Sequence, residues 1–254
     1  MLPPSRPSPA HLRWVRRQLR TIGREMPVCV LGSTPEYRDL LAELGFRHVT
    51  LIEAHPEFHA RLAQLRVYRN QEEVIYTTWQ AFFASVEARR RFAAILGHLT
   101  IGNVAYDERH ALGAGIAASL LNRGIYLEYV LHQRGALYSS DAIRRRFRAG
   151  AANLATLNDF NCRAIFLADT LRAEKTVRPC ELAAHYTEDP NPRIRWLARQ
   201  VREVTPINGQ WHYGRSWQDE LAWRERHFTT INERLEMSGS YAGMASAICY
   251  GALR

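Results

Sequence analysis

A glycine that ends one short apolar run, followed about twenty residues later by an acid that ends a second, is an arrangement suited to gripping a nucleotide. Val28-Cys29-Val30-Leu31 is such a run and Gly32 breaks it; Val49 to Ile52 is the second, closed by Glu53, 21 positions after Gly32. In open parallel sheets ligands sit beyond the carboxyl ends of the strands. A glycine there lets the backbone approach the ligand, and an acid at this spacing can accept both hydroxyls of a ribose. The full G-x-G-x-x-G pattern is absent, so these residues alone also fit an ordinary strand-helix-strand unit that happens to end in Glu. Other chemistries find less support. His55 and His59 lie one helical turn apart, but with no third ligand nearby they read as a solvated helix start, and no metal site is expected. No G-x-S-x-G elbow is present for a Ser/His/Asp hydrolase. Cys29, Cys162, Cys180 and Cys249 are scattered, which suggests neither zinc nor a disulfide framework; all four read as reduced and mostly buried.

The elements that position Gly32 and Glu53 are legible. Thr34 stands at a helix N-cap and Pro35 at the first helical position, and Tyr37, Leu40, Leu41 and Leu44 recur at helical spacing until Gly45. Strand patterns at 28–31, 49–52, 73–76, 92–96 and 125–131 alternate with helix patterns at 35–44, 56–67 and 108–121. That alternation predicts a parallel sheet with helices on both faces. Ahead of it, residues 1–26 form a basic segment in which His11 to Thr21 can be a short helix carrying Leu12, Trp14, Val15 and Leu19. From about 139 to 206 strand signals fade and amphipathic helices take over; the clearest is Arg193 to Val204, with Ile194, Leu197, Val201 and Val204 on one face. Residues 207–254 then hold an aromatic loop from Trp211 to Trp217, a helix from Gln218 to Phe228, and a strand from Tyr241 to Leu253 after a Ser238-Gly239-Ser240 turn.

The wording Val-Leu-Gly-Ser-Thr-Pro-Glu at 30–36, with a hydrophobic strand ending in Glu53 and a helix start at Ala54-His55-Pro56-Glu57, resembles a bacterial branch of the class I S-adenosylmethionine (SAM)-dependent methyltransferases. The resemblance is good over 27–132 and loose beyond. It implies an α/β fold: a doubly wound, mainly parallel Rossmann-like sheet with a closing antiparallel strand, a SAM-binding core at 27–138 and a helical insertion at 139–206 that forms the acceptor pocket. The N-terminal helix would then lie across the cofactor mouth as a lid, or simply pack on the surface. By the same resemblance Gly32 would let the backbone approach the methionine moiety, Glu53 would take the ribose hydroxyls, and Ser33, Thr34, Glu36 and Gly97 would belong to the cofactor pocket. Thr78 stands where relatives carry the acid that bonds the adenine amine, and Trp79 would stack on the adenine; Phe82 and Phe83 read as core. At the end of the fourth strand relatives carry Leu-Gly-Asp where this chain has Leu96-Gly97-His98. His98 would face the sulfonium, as a general base or a holder of the acceptor. Tyr106, Arg109, Tyr213 and Trp217 would line the acceptor pocket.

Of the 254 residues 46% are hydrophobic, enough for a sizeable core, and the net charge is +9. Lys175 is the single lysine among 34 basic residues, an arginine bias that a GC-rich coding sequence can produce without a polyanionic partner. No basic segment is interleaved with aromatics for stacking on bases, so nucleic acid is not the expected partner. No window is apolar enough to span a bilayer and Met1 to Ala10 lack the apolar core of a signal peptide, so the expected setting is cytoplasmic. The expected function is SAM-dependent methyl transfer to oxygen or nitrogen of a small-molecule acceptor from specialised biosynthesis, and the arginine excess makes a carboxylate-bearing acceptor attractive. Three rivals stay open. One is aminocarboxypropyl transfer or cyclisation, which releases methylthioadenosine. Another is an RNA methyltransferase, although His98-Leu99-Thr100-Ile101 stands where an Asn/Asp-Pro-Pro-Tyr motif would be needed. The third is a non-catalytic partner. A homodimer is compatible with all of these readings.

Overall fold

The computed structural model describes residues 6–151, 153–168, 171, 175–204, 210–235 and 243–253. The first apolar run forms β1 (Val28–Leu31), buried at every position, and the second forms β2 (Val49–Glu53). With β3 (Glu72–Tyr76), β4 (Phe92–His98), β5 (Leu120–Leu131), β8 (Phe228–Leu235) and β9 (Ala245–Ala252) they make a seven-stranded sheet in the order β3-β2-β1-β4-β5-β9-β8. The first five strands run parallel; β9 lies antiparallel between β5 and β8. Alternate side chains of β1 feed two cores. Val28 and Val30 pack beneath α1 (Pro9–Leu19) and α2 (Pro35–Glu43), whereas Cys29 and Leu31 pack with residues of α4 (Trp79–Ala84), α5 (Arg109–Ser119) and α10 (Trp217–Arg224). The mixed α/β sheet is therefore covered on both faces. Among the described residues no helix is long and apolar enough to cross a membrane.

Between β5 and β8 stand α6 (Ser140–Phe147), α7 (Leu154–Ile165), α8 (Pro179–Tyr186) and α9 (Pro192–Val204), which close a small core of their own. Cys162, Ala164, Ile165 and Phe166 nevertheless pack into the core over β1, so the helical segment is tied to the sheet through the end of α7. A two-stranded ribbon of β6 (Thr176–Val177) and β7 (Trp211–His212) adds a second tie. Several boundaries differ from the sequence reading. The helix expected to reach residue 67 is α3 (Pro56–Ala63). The helix expected to end at Phe228 stops at Arg224, and Phe228 opens β8. Ser216 sets its start, exchanging hydrogen bonds with Asp219 in a capping box. The closing strand begins at Ala245, and the Ser238-Gly239-Ser240 turn and Tyr241 lie outside the described residues. Helix α1 begins two residues before His11 and buries His11, Trp14, Val15 and Leu19. It is built into the core, and of the N-terminal segment it is Arg6, ahead of the helix, that reaches the cavity described next.

Candidate functional site

A cavity of about 740 Å³ opens at the carboxyl ends of β1, β2 and β4, a volume within the usual range for small-molecule sites. Gly32 turns the chain there with φ +83, a left-handed conformation that glycine adopts without strain. A Cβ at this position would stand 3.8 Å from Trp79 Cζ2 and 3.9 Å from Glu53 Oε2. Bare backbone is thus presented between an indole and a carboxylate. The Ile52 carbonyl accepts the Gly32 N–H at 2.8 Å and the Trp79 Nε1–H at 2.9 Å, so one oxygen fixes both the turn and the ring. Glu53, 6% exposed, accepts the His55 N–H through Oε1 at 3.0 Å. Thr34, Glu36 and Thr78 also line the cavity. Thr34 sits at the N-cap of α2 without using its hydroxyl there, while Thr78 caps α4 by accepting the Ala81 N–H at 3.2 Å. Glu36 pairs with Arg6 at 2.6 Å. Ser33 lines the cavity, but its buried hydroxyl is engaged with His59 Nδ1 at 3.1 Å.

His98 lies on the cavity wall at the end of β4. Its ring stacks on Tyr129, centroids 4.9 Å apart, and meets Tyr37 edge-on at 5.9 Å. His11 from α1 completes the cluster, 4.5 Å from the Tyr129 centroid, with Nε2 2.6 Å from the Tyr37 hydroxyl. Burial, then His98 and Arg234, hold the His11 imidazole well below its ordinary pKa, so this second ring is neutral. Just after His98, Leu99 adopts φ +55 and donates its N–H to the Tyr129 carbonyl at 2.8 Å. A leucine in the left-handed region costs about 1–2 kcal/mol, and the turn it makes ends β4 at the cavity wall. Gly97 does not itself line the cavity. A Cβ there would come within 2.7 Å of Thr100 Oγ1 and 3.3 Å of the Tyr126 hydroxyl, so its part is to leave room for the turn.

Of the four residues expected at the acceptor pocket, Tyr213 lines the cavity. Its phenol lies against Gly102, where a Cβ would fall 2.6 Å from the hydroxyl oxygen. The other three lie elsewhere. Arg109 is 0% exposed and grips both Glu220 oxygens at 3.0 and 3.1 Å. It also donates to the carbonyls of Ile101 and His212. Arg224 bridges from Glu220 to Glu128, which it holds with two hydrogen bonds of 2.8 and 2.6 Å. Four buried charges thus cancel in pairs, and the Glu220 carboxylate also accepts the Gly214 N–H. Tyr106 donates to the Asp219 carbonyl, beneath the Lys175 ammonium at 3.8 Å from its ring. Trp217 packs on His132 at 4.3 Å. Sequence reasoning missed Arg6, Asn103, Trp211 and the α7 residues Asn158, Asn161 and Cys162, all on the cavity wall. The α7 spacing was the available signal, since 158, 161, 162 and 165 fall on one helical face.

Topology decides what this architecture is. A doubly wound dinucleotide-binding sheet runs 3-2-1-4-5-6 throughout in parallel, whereas here an antiparallel strand, last in sequence, is inserted next to the edge. The fold is that of the class I SAM-dependent methyltransferases. No protein-family model and no curated protein sequence matches the chain, so the likeness lies in three dimensions. The CcbJ methyltransferase from Streptomyces caelestis is 12% identical with a TM-score of 0.56, covering 98% of this chain and 91% of its own. The 1,6-didemethyltoxoflavin-N1-methyltransferase of Burkholderia thailandensis, solved with S-adenosylhomocysteine, is 15% identical with a TM-score of 0.50, covering 96% and 78%. A Rhodobacter sphaeroides protein bearing the name of zinc-dependent alcohol dehydrogenases is 16% identical with a TM-score of 0.58, covering 98% and 91%. Among the described residues of this methyltransferase-fold chain, no three His, Cys, Asp or Glu side chains are grouped to hold a metal ion.

Proposed function

We propose that this protein is a SAM-dependent methyltransferase acting on oxygen or nitrogen of a small molecule. The observation that carries the reading is the side-chain-free Gly32 turn beside the Glu53 carboxylate on the wall of one cavity. The residues fit the cofactor. Glu53 keeps Oε2 for the ribose hydroxyls while His55 N–H steadies Oε1. Trp79, pinned by its indole hydrogen bond, offers a flat wall to adenine, and the Thr78 hydroxyl stands beside it. Arg6 and Glu36 bring both signs of charge to the mouth, complementary to the carboxylate and ammonium of an amino-acid moiety. When bound, SAM supplies the electrophilic methyl carbon and the thioether leaving group. The chain's own task is then to position the acceptor, exclude water and take a proton, for which His98 at the end of β4 is the base we assign. A small-molecule acceptor agrees with a cavity of this size and with the name of the Burkholderia neighbour.

Calorimetric titration with SAM, S-adenosylhomocysteine, methylthioadenosine and NAD tests the reading. Micromolar binding of the first two and none of NAD is expected. Tighter binding of NAD, or no binding of either sulfur nucleoside, refutes it. Among turnover products, S-adenosylhomocysteine supports methyl transfer and methylthioadenosine overturns it in favour of aminocarboxypropyl chemistry.

A further inference from the structure

The part of the cavity beyond β4 is walled by α7, by the ribbon strand β7 and by the segment after it. Helix α7 brings Asn158, Asn161 and Cys162, spaced i, i+3 and i+4 on a single face, to this wall, and Trp211 and Tyr213 supply aromatic surface. The Asn161 Oδ1 is buried and, among the described residues, has no hydrogen-bond partner. A buried acceptor left unpaired costs about 1–3 kcal/mol, a penalty that a ligand donor removes once the amide of this cavity-lining side chain turns to meet it. A second carboxamide one helical turn away provides donors and an acceptor of its own. The aromatic wall is fixed in advance: β7 pairs with β6, the Tyr213 ring meets Phe166 at 5.4 Å, and Arg109 holds the intervening His212 carbonyl. Of the two arginines bearing on this question, Arg109 is closed off by Glu220, and Arg6, paired with Glu36, lies at the end of the cavity that the proposed function gives to the cofactor.

From this wall we infer that the acceptor is a planar ring compound with an amide-like edge, an N–H or O–H donor beside a carbonyl-type oxygen, and that Asn161 with Asn158 reads that edge. A carboxylate acceptor, which the arginine content suggests, is disfavoured because its oxygens offer no donor to Asn161 Oδ1. The inference rests on the proposed function, which gives the Gly32 and Glu53 end of the cavity to the cofactor.

The test uses matched probes: nicotinamide against nicotinate and 4-hydroxybenzamide against 4-hydroxybenzoate. They are titrated into the full chain by calorimetry and ligand-observed NMR, with and without saturating S-adenosylhomocysteine. The amide of each pair binds at least about tenfold more tightly than its acid, and Asn161→Leu and Asn158→Leu each reduce that preference while the thermal unfolding transition stays cooperative. Equal or tighter binding of the acids, no binding of any amide, or a preference unchanged in both variants overturns the inference. The S-adenosylhomocysteine titration separates the two claims. Cofactor binding without amide preference refutes the acceptor class alone, and amide preference without cofactor binding refutes the methyltransferase reading alone.

Discussion

Replacing Glu220 by glutamine keeps the shape of a buried side chain and removes its charge. In the native protein that carboxylate receives Arg109 at 3.0 Å, Arg224 at 2.8 Å and the Gly214 N–H, with the three side chains of the cluster essentially inaccessible to solvent. Glutamine retains one acceptor oxygen and turns an N–H₂ toward guanidinium groups that are themselves only donors. Arg224 keeps Glu128, but Arg109 is left as a buried cation with carbonyl partners alone. Breaking a buried pair from one side costs about 3–5 kcal/mol, and we expect a loss of that size in urea unfolding at pH 7. The pH dependence gives an independent check. Burial raises the Glu220 pKa, but Arg109 and Arg224 more than reverse this and hold it down to about 2, against 4.5 ordinarily. A pKa depressed in the folded state gives stability that is complete above the ordinary value and lost as pH falls through the folded one. The gap between native protein and Glu220→Gln therefore narrows between pH 4.5 and 2. Since Arg109 and Glu220 also hold His212 and Gly214 beside Trp211 and Tyr213, acceptor affinity should fall more than S-adenosylhomocysteine affinity. A loss under about 1 kcal/mol at pH 7, or a gap that does not change with acidification, would refute this account of the cluster.

Three further outcomes can be measured. Glu53→Ala should weaken S-adenosylhomocysteine by about 10–100-fold, the worth of charge-assisted hydrogen bonds, in a calorimetric titration; unchanged affinity would remove the ribose assignment. Gly32→Ala forces a side chain to adopt φ +83 and should lower stability by about 1–2 kcal/mol as well as ligand affinity. Gly45→Ala, at φ +78 with nothing within 4 Å, should show the stability loss without the affinity loss, and identical ligand behaviour in the two variants would count against the Gly32 assignment. His98→Gln should lower kcat by about 10²–10⁴-fold on an acceptor whose O–H or N–H must be deprotonated, with cofactor affinity measured separately by calorimetry. A kcat within twofold of the native value would exclude His98 as the base.

The first strands of the parallel half could be read almost to the residue because their signals are local, whereas β5 begins at Leu120 and not at 125. A four-residue apolar strand, a proline at a helix start and a glycine turn are each specified within a few positions, and β1, α2 and β2 follow. The bounds of strand β8, the partner that a hairpin turn at Ser238-Gly239-Ser240 implies, were hidden for the opposite reason. As an edge strand, Phe228–Leu235 exposes most of its side chains and carries the polar residues of a solvated helix. The buried charges were also invisible, since Arg109, Glu220 and Arg224 look like ordinary solvent-facing helix residues until α5, α10 and β5 bring them together across about a hundred positions. That misreading put Arg109 at the acceptor pocket. The cavity's cofactor end was legible because its residues follow strand ends. Its other end depends on how α7 and the β6–β7 ribbon dock on the sheet, which no local pattern records.

Strand β9 carries a consequence for how the protein is made. It lies inside the sheet, with β5 on one side and β8 on the other, yet residues 245–252 are synthesised after every other strand of the described residues. Until they emerge from the ribosome, β5 and β8 each present an unsatisfied backbone edge, and β5 is a long apolar one. The nascent chain is therefore open to edge-to-edge aggregation from the completion of β5 until β9 emerges, and its closing step joins β5 to a strand more than a hundred residues away, a slow kind of pairing. Shortening the chain into β9 would leave that edge open permanently, so yield of folded protein should depend on these few residues far more than their distance from the cavity suggests.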